Sequence, residues 1–105
     1  MTALATIVGN QLDLIRQLCA RHHVARLELF GSATSEQFDA NTSDLDFLVE
    51  FPPLVPADLA DAYFGLLAAL QDVFRRDVDL VEAQAVSNPY FRNAINRQRT
   101  VLYTA

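Results

Sequence analysis

The sequence contains no lysine and no tryptophan, and it has only one cysteine and three glycines. A single thiol, Cys19, excludes an internal disulfide framework and a zinc site built from several cysteines. The eight basic residues, all arginine, are outnumbered by thirteen acidic ones, which leaves a net charge of −5. Such a chain lacks the basic surface that displaces counterions from nucleic acid, so we expect no direct nucleic-acid binding.

Long hydrophobic runs are also missing. The longest, 62–70, is far shorter than the roughly 20 apolar residues that a membrane-spanning helix needs. The first residues lack the basic segment of a signal peptide, so we expect a cytoplasmic protein without a membrane partner. With 105 residues, of which 51% are hydrophobic, we expect one domain over 1–105.

The hydropathy pattern predicts an α/β (α+β) fold, in which helices pack on a small mixed sheet of about four strands. The first helix begins at residue 4, or after Asn10 if that side chain caps it, and ends near 21–23. The other predicted elements are strands at 24–30 and 44–51, a helix from 56 to about 74, a strand at 77–82, a helix at 88–97 and a short strand at 100–103.

Three features of these elements have structural interpretations. Cys19 lies at helical spacing among apolar residues and is predicted to be a buried thiol. His22 and His23 are interpreted as a solvated helix end, where the helix dipole favours positive charge. The long helix carries a wide apolar surface that predicts substantial burial, with excess width for a protein interface, formed by Leu59, Tyr63, Phe64, Leu66, Leu67, Leu70, Val73 and Phe74.

Carboxylates are placed two residues apart at the start of the second predicted strand. Asp44 and Asp46 therefore leave the same face, where two like charges are unfavourable unless a cation joins them. Oxygen ligands of this kind suit Mg²⁺, usually in company with substrate phosphates. A solvated pair without a ligand remains the alternative.

Two further features extend the candidate site, one suited to an anion and one to a metal ion. Gly31 follows the first predicted strand and, with Ser32, would let backbone N–H groups approach an anion, although taken alone the pair is better explained as a plain strand-to-helix turn that Ser32 caps. Asp79 is flanked by Val78 and Leu80, as expected for a strand inside a sheet. A carboxylate there needs a partner or a metal.

The combination resembles the minimal nucleotidyltransferases of the DNA polymerase beta superfamily. The signature is LFGSATSEQFDANTSDLDFLVEF, at 29–51, followed by DVDLVE, at 77–82. The resemblance implies transfer of a nucleoside monophosphate at a site with two Mg²⁺ ions. The implied catalytic and metal-binding residues are Asp44, Asp46 and Asp79. The implied nucleotide-binding residues are Gly31, Ser32 and Ser43.

Members of this family are typically antitoxins encoded beside a helical HEPN-type toxin, some of which they modify with AMP on a tyrosine. The resemblance thus implies that ATP is the substrate and that this toxin is the partner, in an arrangement like a type VII toxin–antitoxin pair. The segment after Ser32 departs from the family: Ala33–Glu36 lacks the usual arginines and second glycine. A binding module that neutralises its partner without chemistry is therefore the alternative, and a purely structural α/β domain is a third.

Overall fold

A computed structural model describes residues 6–30, 45–83 and 99–105. The helices are α1 (Thr6–Gly9), α2 (Leu12–Arg21) and α3 (Pro56–Phe74). The strands are β1 (Arg26–Phe30), β2 (Leu45–Glu50), β3 (Val78–Glu82) and β4 (Arg99–Thr104). The predicted helix at 88–97 lies outside the described residues. Among the helices of the described ranges, none is long and apolar enough to cross a bilayer.

The four described strands form one mixed sheet in the order β3-β2-β1-β4. β1 pairs antiparallel with both β2 and β4, whereas β2 and β3 run parallel because the long helix α3 returns the chain between them. The predicted α+β class with a small mixed sheet is confirmed. Among the described strands, β3 and β4 occupy the two edges of the sheet.

α2 buries one side against the sheet through Ile15, Leu18 and Cys19, and the predicted burial of the Cys19 thiol is confirmed. The prediction that Asn10 caps this helix is wrong, because the N-cap is Gln11, whose side chain makes no capping bond. At the other end His23 adopts the left-handed conformation, with φ 61°. The next amide N–H, of Val24, then donates to the Cys19 carbonyl at 3.0 Å, which closes the helix.

α3 begins with proline at its first position, where a missing N–H costs nothing. Its core-facing side chains are Ala62, Leu66 and Leu70. The prediction that Phe64 widens the buried stripe is wrong, because 63% of this residue is exposed. Residue 64 falls on the side of the helix that turns away from the sheet.

Alternate residues of a strand point to opposite faces, so every second residue of β2 faces the helices. Leu45, Phe47 and Val49 are fully buried in the main core. The opposite face carries a smaller apolar cluster of Phe30 and Leu48. Glu28 shares that second face and is only 3% exposed, and its Oε1 accepts a bond of 2.8 Å from Arg26 Nη2.

Candidate active site

The described part of the candidate site is a pair of carboxylates on neighbouring strands. Asp46 of β2 and Asp79 of β3 are direct partners in the parallel register. Because paired residues of adjacent strands point to the same face and strands lie about 4.8 Å apart, their side chains are neighbours. Asp46 is half-buried, and Asp79 is exposed. The structure thus brings together two of the three carboxylates that the sequence singles out.

The expectation that Asp79 lies inside the sheet is wrong. β3 is an edge strand, so one side of it has no strand neighbour among the described residues. Val78 and Leu80 contact the core, whereas Asp79 points away from it. The alternation of apolar and acidic residues therefore results from burial of one face of β3 only. A carboxylate in this position is reachable from solvent, as a ligand or substrate requires.

Four of the predicted site residues, Gly31, Ser32, Ser43 and Asp44, lie outside the described residues. Their neighbours in the chain are informative: Phe30, which precedes Gly31, is the register partner of Asp46. The strand β2 starts at Leu45, directly after Asp44. The two sequence motifs therefore adjoin the same end of the β1–β2 pair as the Asp46–Asp79 pair.

The donor chemistry of this pair fits a divalent cation with a preference for oxygen, such as Mg²⁺. Two carboxylates that face each other across a strand pair are mutually repulsive, and a bound cation removes that repulsion. Within 6–30, 45–83 and 99–105, no cluster of three or more potential metal ligands occurs. The third carboxylate of the predicted set, Asp44, is outside these ranges.

The sequence pattern assigns Tyr63 to the core and does not predict its contact with the strand that carries Asp79. The Tyr63 hydroxyl donates to the carbonyl oxygen of Leu80, next to Asp79, over 2.6 Å. Burial raises the pKa of this hydroxyl, and the carboxylates of Asp79 and Glu82 raise it further. No pattern in the sequence signals this bond, because it joins a helix to the edge of a strand that is distant in the chain.

The two histidines lie away from the carboxylate pair. Only His23 is exposed as predicted; His22 is half-buried, and a Cβ added at Gly65 of α3 would lie 2.9 Å from its Nδ1. Burial lowers the pKa of His22, and the charges of Arg21 and His23 lower it further. His22 and His23 line a cleft of about 390 Å³, and Asp58 and Asp61 line it as well.

Comparison with known proteins adds to this geometry. The chain matches the family model described as the nucleotidyltransferase domain over residues 12–102. None of the curated proteins matches it.

Several solved structures are similar in fold. One, described as a candidate minimal nucleotidyltransferase, is 28% identical, with 89% of this chain and 90% of that chain covered and a TM-score of 0.62. Another is a complex of a tri-AMPylated HEPN toxin from Shewanella oneidensis with an MNT antitoxin (21% identity, 92% and 72% covered, TM-score 0.64). A third is a toxin–antitoxin structure with AMP-PNP (23% identity, 90% and 73% covered, TM-score 0.66).

Proposed function

Because the chain belongs to the nucleotidyltransferase domain family, we propose that it transfers AMP from ATP to a hydroxyl, in the first place a tyrosine of a HEPN-type toxin. The observation that carries this proposal is the register pairing of Asp46 with Asp79 on one face of the sheet. Family membership alone supports transferase activity in general. The carboxylate pair supports the view that this chain has kept the groups for the chemistry.

The proposed roles follow from donor type. Asp46 and Asp79, together with Asp44, would hold Mg²⁺, since carboxylate oxygens are the ligands that this ion prefers. When bound, the ions would supply stabilisation of negative charge on the entering and leaving oxygens. The nucleotide would contact the backbone at Gly31 and the hydroxyls of Ser32 and Ser43.

In the proposed reaction the acceptor oxygen forms a bond to the α-phosphorus of ATP. The bond from that phosphorus to the oxygen bridging to the β-phosphate breaks, and pyrophosphate leaves with the electron pair. Asp79, exposed at the sheet edge, accepts the proton of the acceptor hydroxyl and returns it to solvent. AMP ends on the acceptor and pyrophosphate in solution, so atoms and charge balance.

Two of the structural relatives are toxin–antitoxin structures, one with a tri-AMPylated HEPN toxin and one with AMP-PNP. That is why we propose a HEPN-type partner and ATP as donor. A second candidate is an antitoxin that acts by complex formation alone. The segment Ala33–Glu36 favours it, because it has none of the arginines that would bind phosphates there.

A labelling experiment separates the two. The purified protein is incubated with Mg²⁺, ATP labelled at the α-phosphate and the product of the adjacent gene, which is tested as the proposed HEPN-type partner. We expect label on the partner, and its loss in Asp46→Asn. Asp72→Asn, which removes an equivalent charge from the exposed side of α3, is the matched control and should behave as wild type.

A stable complex without label, formed equally by wild type and Asp46→Asn, would favour the binding module over the enzyme. Label that persists in Asp46→Asn would contradict the proposed site. The complex is measured by size-exclusion chromatography in the same samples, so that loss of label is not confused with loss of binding.

A further inference from the structure

We propose that Tyr63 is a positioning residue for Asp79: its hydroxyl anchors the outer edge of β3 to α3 and so holds the Asp79 carboxylate beside Asp46. The inference rests on the proposed function, because it concerns the same carboxylate pair. It adds a residue outside the sequence signature, and its role does not involve contact with substrate or metal.

The bond itself is short and specific. Tyr63 Oη lies 2.6 Å from the carbonyl oxygen of Leu80, within the range of a strong hydroxyl–carbonyl hydrogen bond. Leu80 directly follows Asp79, so the anchored peptide group is next to the backbone that carries the carboxylate. The side chain of Leu80 is itself buried, so packing in the core also fixes this residue of β3.

The location of β3 explains why an anchor matters there. β3 pairs with β2 on one side only, and among the described residues no strand covers its other side. Unpaired carbonyl groups at a sheet edge are free to tilt toward water, and strand ends open more readily than central strands. The tyrosine occupies the free side at position 80 and thereby restrains β3 from both sides.

The Tyr63 hydroxyl is a hydrogen-bond donor at physiological pH, because a phenol of ordinary pKa, about 10, is protonated there. Burial raises the pKa of this phenol, and the carboxylates of Asp79 and Glu82 raise it further. The ring of Tyr63 also makes an edge-to-face contact with Phe64, and the two ring centroids are 5.1 Å apart. A phenylalanine at position 63 would keep this ring contact and lose only the bond to the strand.

The test measures metal affinity directly. Mn²⁺ serves as the probe, and its dissociation constant is obtained from the electron paramagnetic resonance signal of free Mn²⁺ in the absence of nucleotide. Tyr63→Phe is expected to weaken Mn²⁺ binding by no more than about 10-fold, the low end of the loss seen for groups bonded to a metal ligand, because Tyr63 acts on the backbone beside Asp79. If transfer activity is present, the Mg²⁺ concentration for half-maximal rate should rise while the KM for ATP stays unchanged.

Tyr103→Phe is the matched control: the same atom is removed from a half-buried tyrosine on β4, at the opposite edge of the sheet. It should bind Mn²⁺ as wild type does. Equal Mn²⁺ affinity of Tyr63→Phe and wild type, even with a lower melting temperature, would overturn the positioning role. Wild type that fails to bind Mn²⁺ would overturn the proposed metal site as well. Binding that survives in Tyr63→Phe but is lost in Asp46→Asn would reject the positioning role alone.

Discussion

Asp46 and Asp79 are direct register partners on adjacent parallel strands, although the whole of α3 separates them in the chain. Two carboxylates in this relationship repel each other without a cation and become a ligand pair with one. The Asp46–Asp79 pair therefore lowers the free energy of unfolding without a cation and raises it when a cation is bound.

Replacing Asp79 by Asn should reveal both contributions. Without divalent ions, the variant loses a repulsion of about 0.2–1 kcal/mol between directly opposed like charges, so its melting temperature should equal or exceed that of wild type. With excess Mg²⁺, wild type should gain stability by ligand linkage and the variant should not. Differential scanning fluorimetry with and without Mg²⁺ checks this, and an identical Mg²⁺ response in both proteins would contradict it.

The free energy of unfolding should depend on pH through His22. Its pKa lies below the ordinary 6.5 because of burial first, then the charges of Arg21 and His23. The unfolded chain therefore binds this proton at higher pH than the folded protein, so the free energy of unfolding should fall as pH drops through 6.5. Urea unfolding at about pH 7.5 and 5.5 measures the loss. The loss of stability between the two pH values should be smaller in His22→Asn. His23→Asn, which changes an exposed residue, should retain most of this loss.

Gly65 and His22 should be energetically coupled. A Gly→Ala change inside a helix ordinarily stabilises by about 0.5–1 kcal/mol. At position 65 the new Cβ would lie 2.9 Å from His22 Nδ1, so the gain should be absent with His22 present and return in a His22→Ala background. Chemical denaturation of the four proteins gives the coupling energy. A gain of the same size in both backgrounds would mean that the histidine ring moves aside freely.

The thiol of Cys19 should be inert in the folded protein. It has no exposed surface, and burial raises its pKa to about 12 from 9.0. At pH 8 a shift of this size lowers the thiolate fraction about 1000-fold, and only the thiolate reacts with alkylating reagents. Iodoacetamide labelling followed by mass spectrometry should be rapid in urea and very slow without it. Comparable rates in the two conditions would show that the helix α2 opens often.

Much of the fold was predictable because the sequence alternates where a strand buries one face. Leu45, Phe47 and Val49 proved to be the core side of β2, as their spacing predicts. The buried stripe of α2 was predictable because its apolar residues recur every three or four positions. Local patterns of this kind depend on residues a few positions apart in the chain.

What could not be predicted depends on contacts between distant segments. The pattern around Asp79 does not distinguish an edge strand from a central one, because one buried face produces the same alternation in both. The exposure of Phe64 depends on how α3 is rotated over the sheet. The Tyr63–Leu80 bond joins positions that become neighbours only after α3 crosses over.

The two strands farthest apart in the sequence are paired in the sheet: β4 lies against β1, and Arg16 Nε donates to the Leu102 carbonyl at 3.2 Å. On a ribosome that has synthesised the chain only as far as β3, one side of β1 would still lack its partner strand. The four described strands can therefore be completed only when residues 99–104 emerge, and a shorter product would expose the unpaired edge of β1 to other chains.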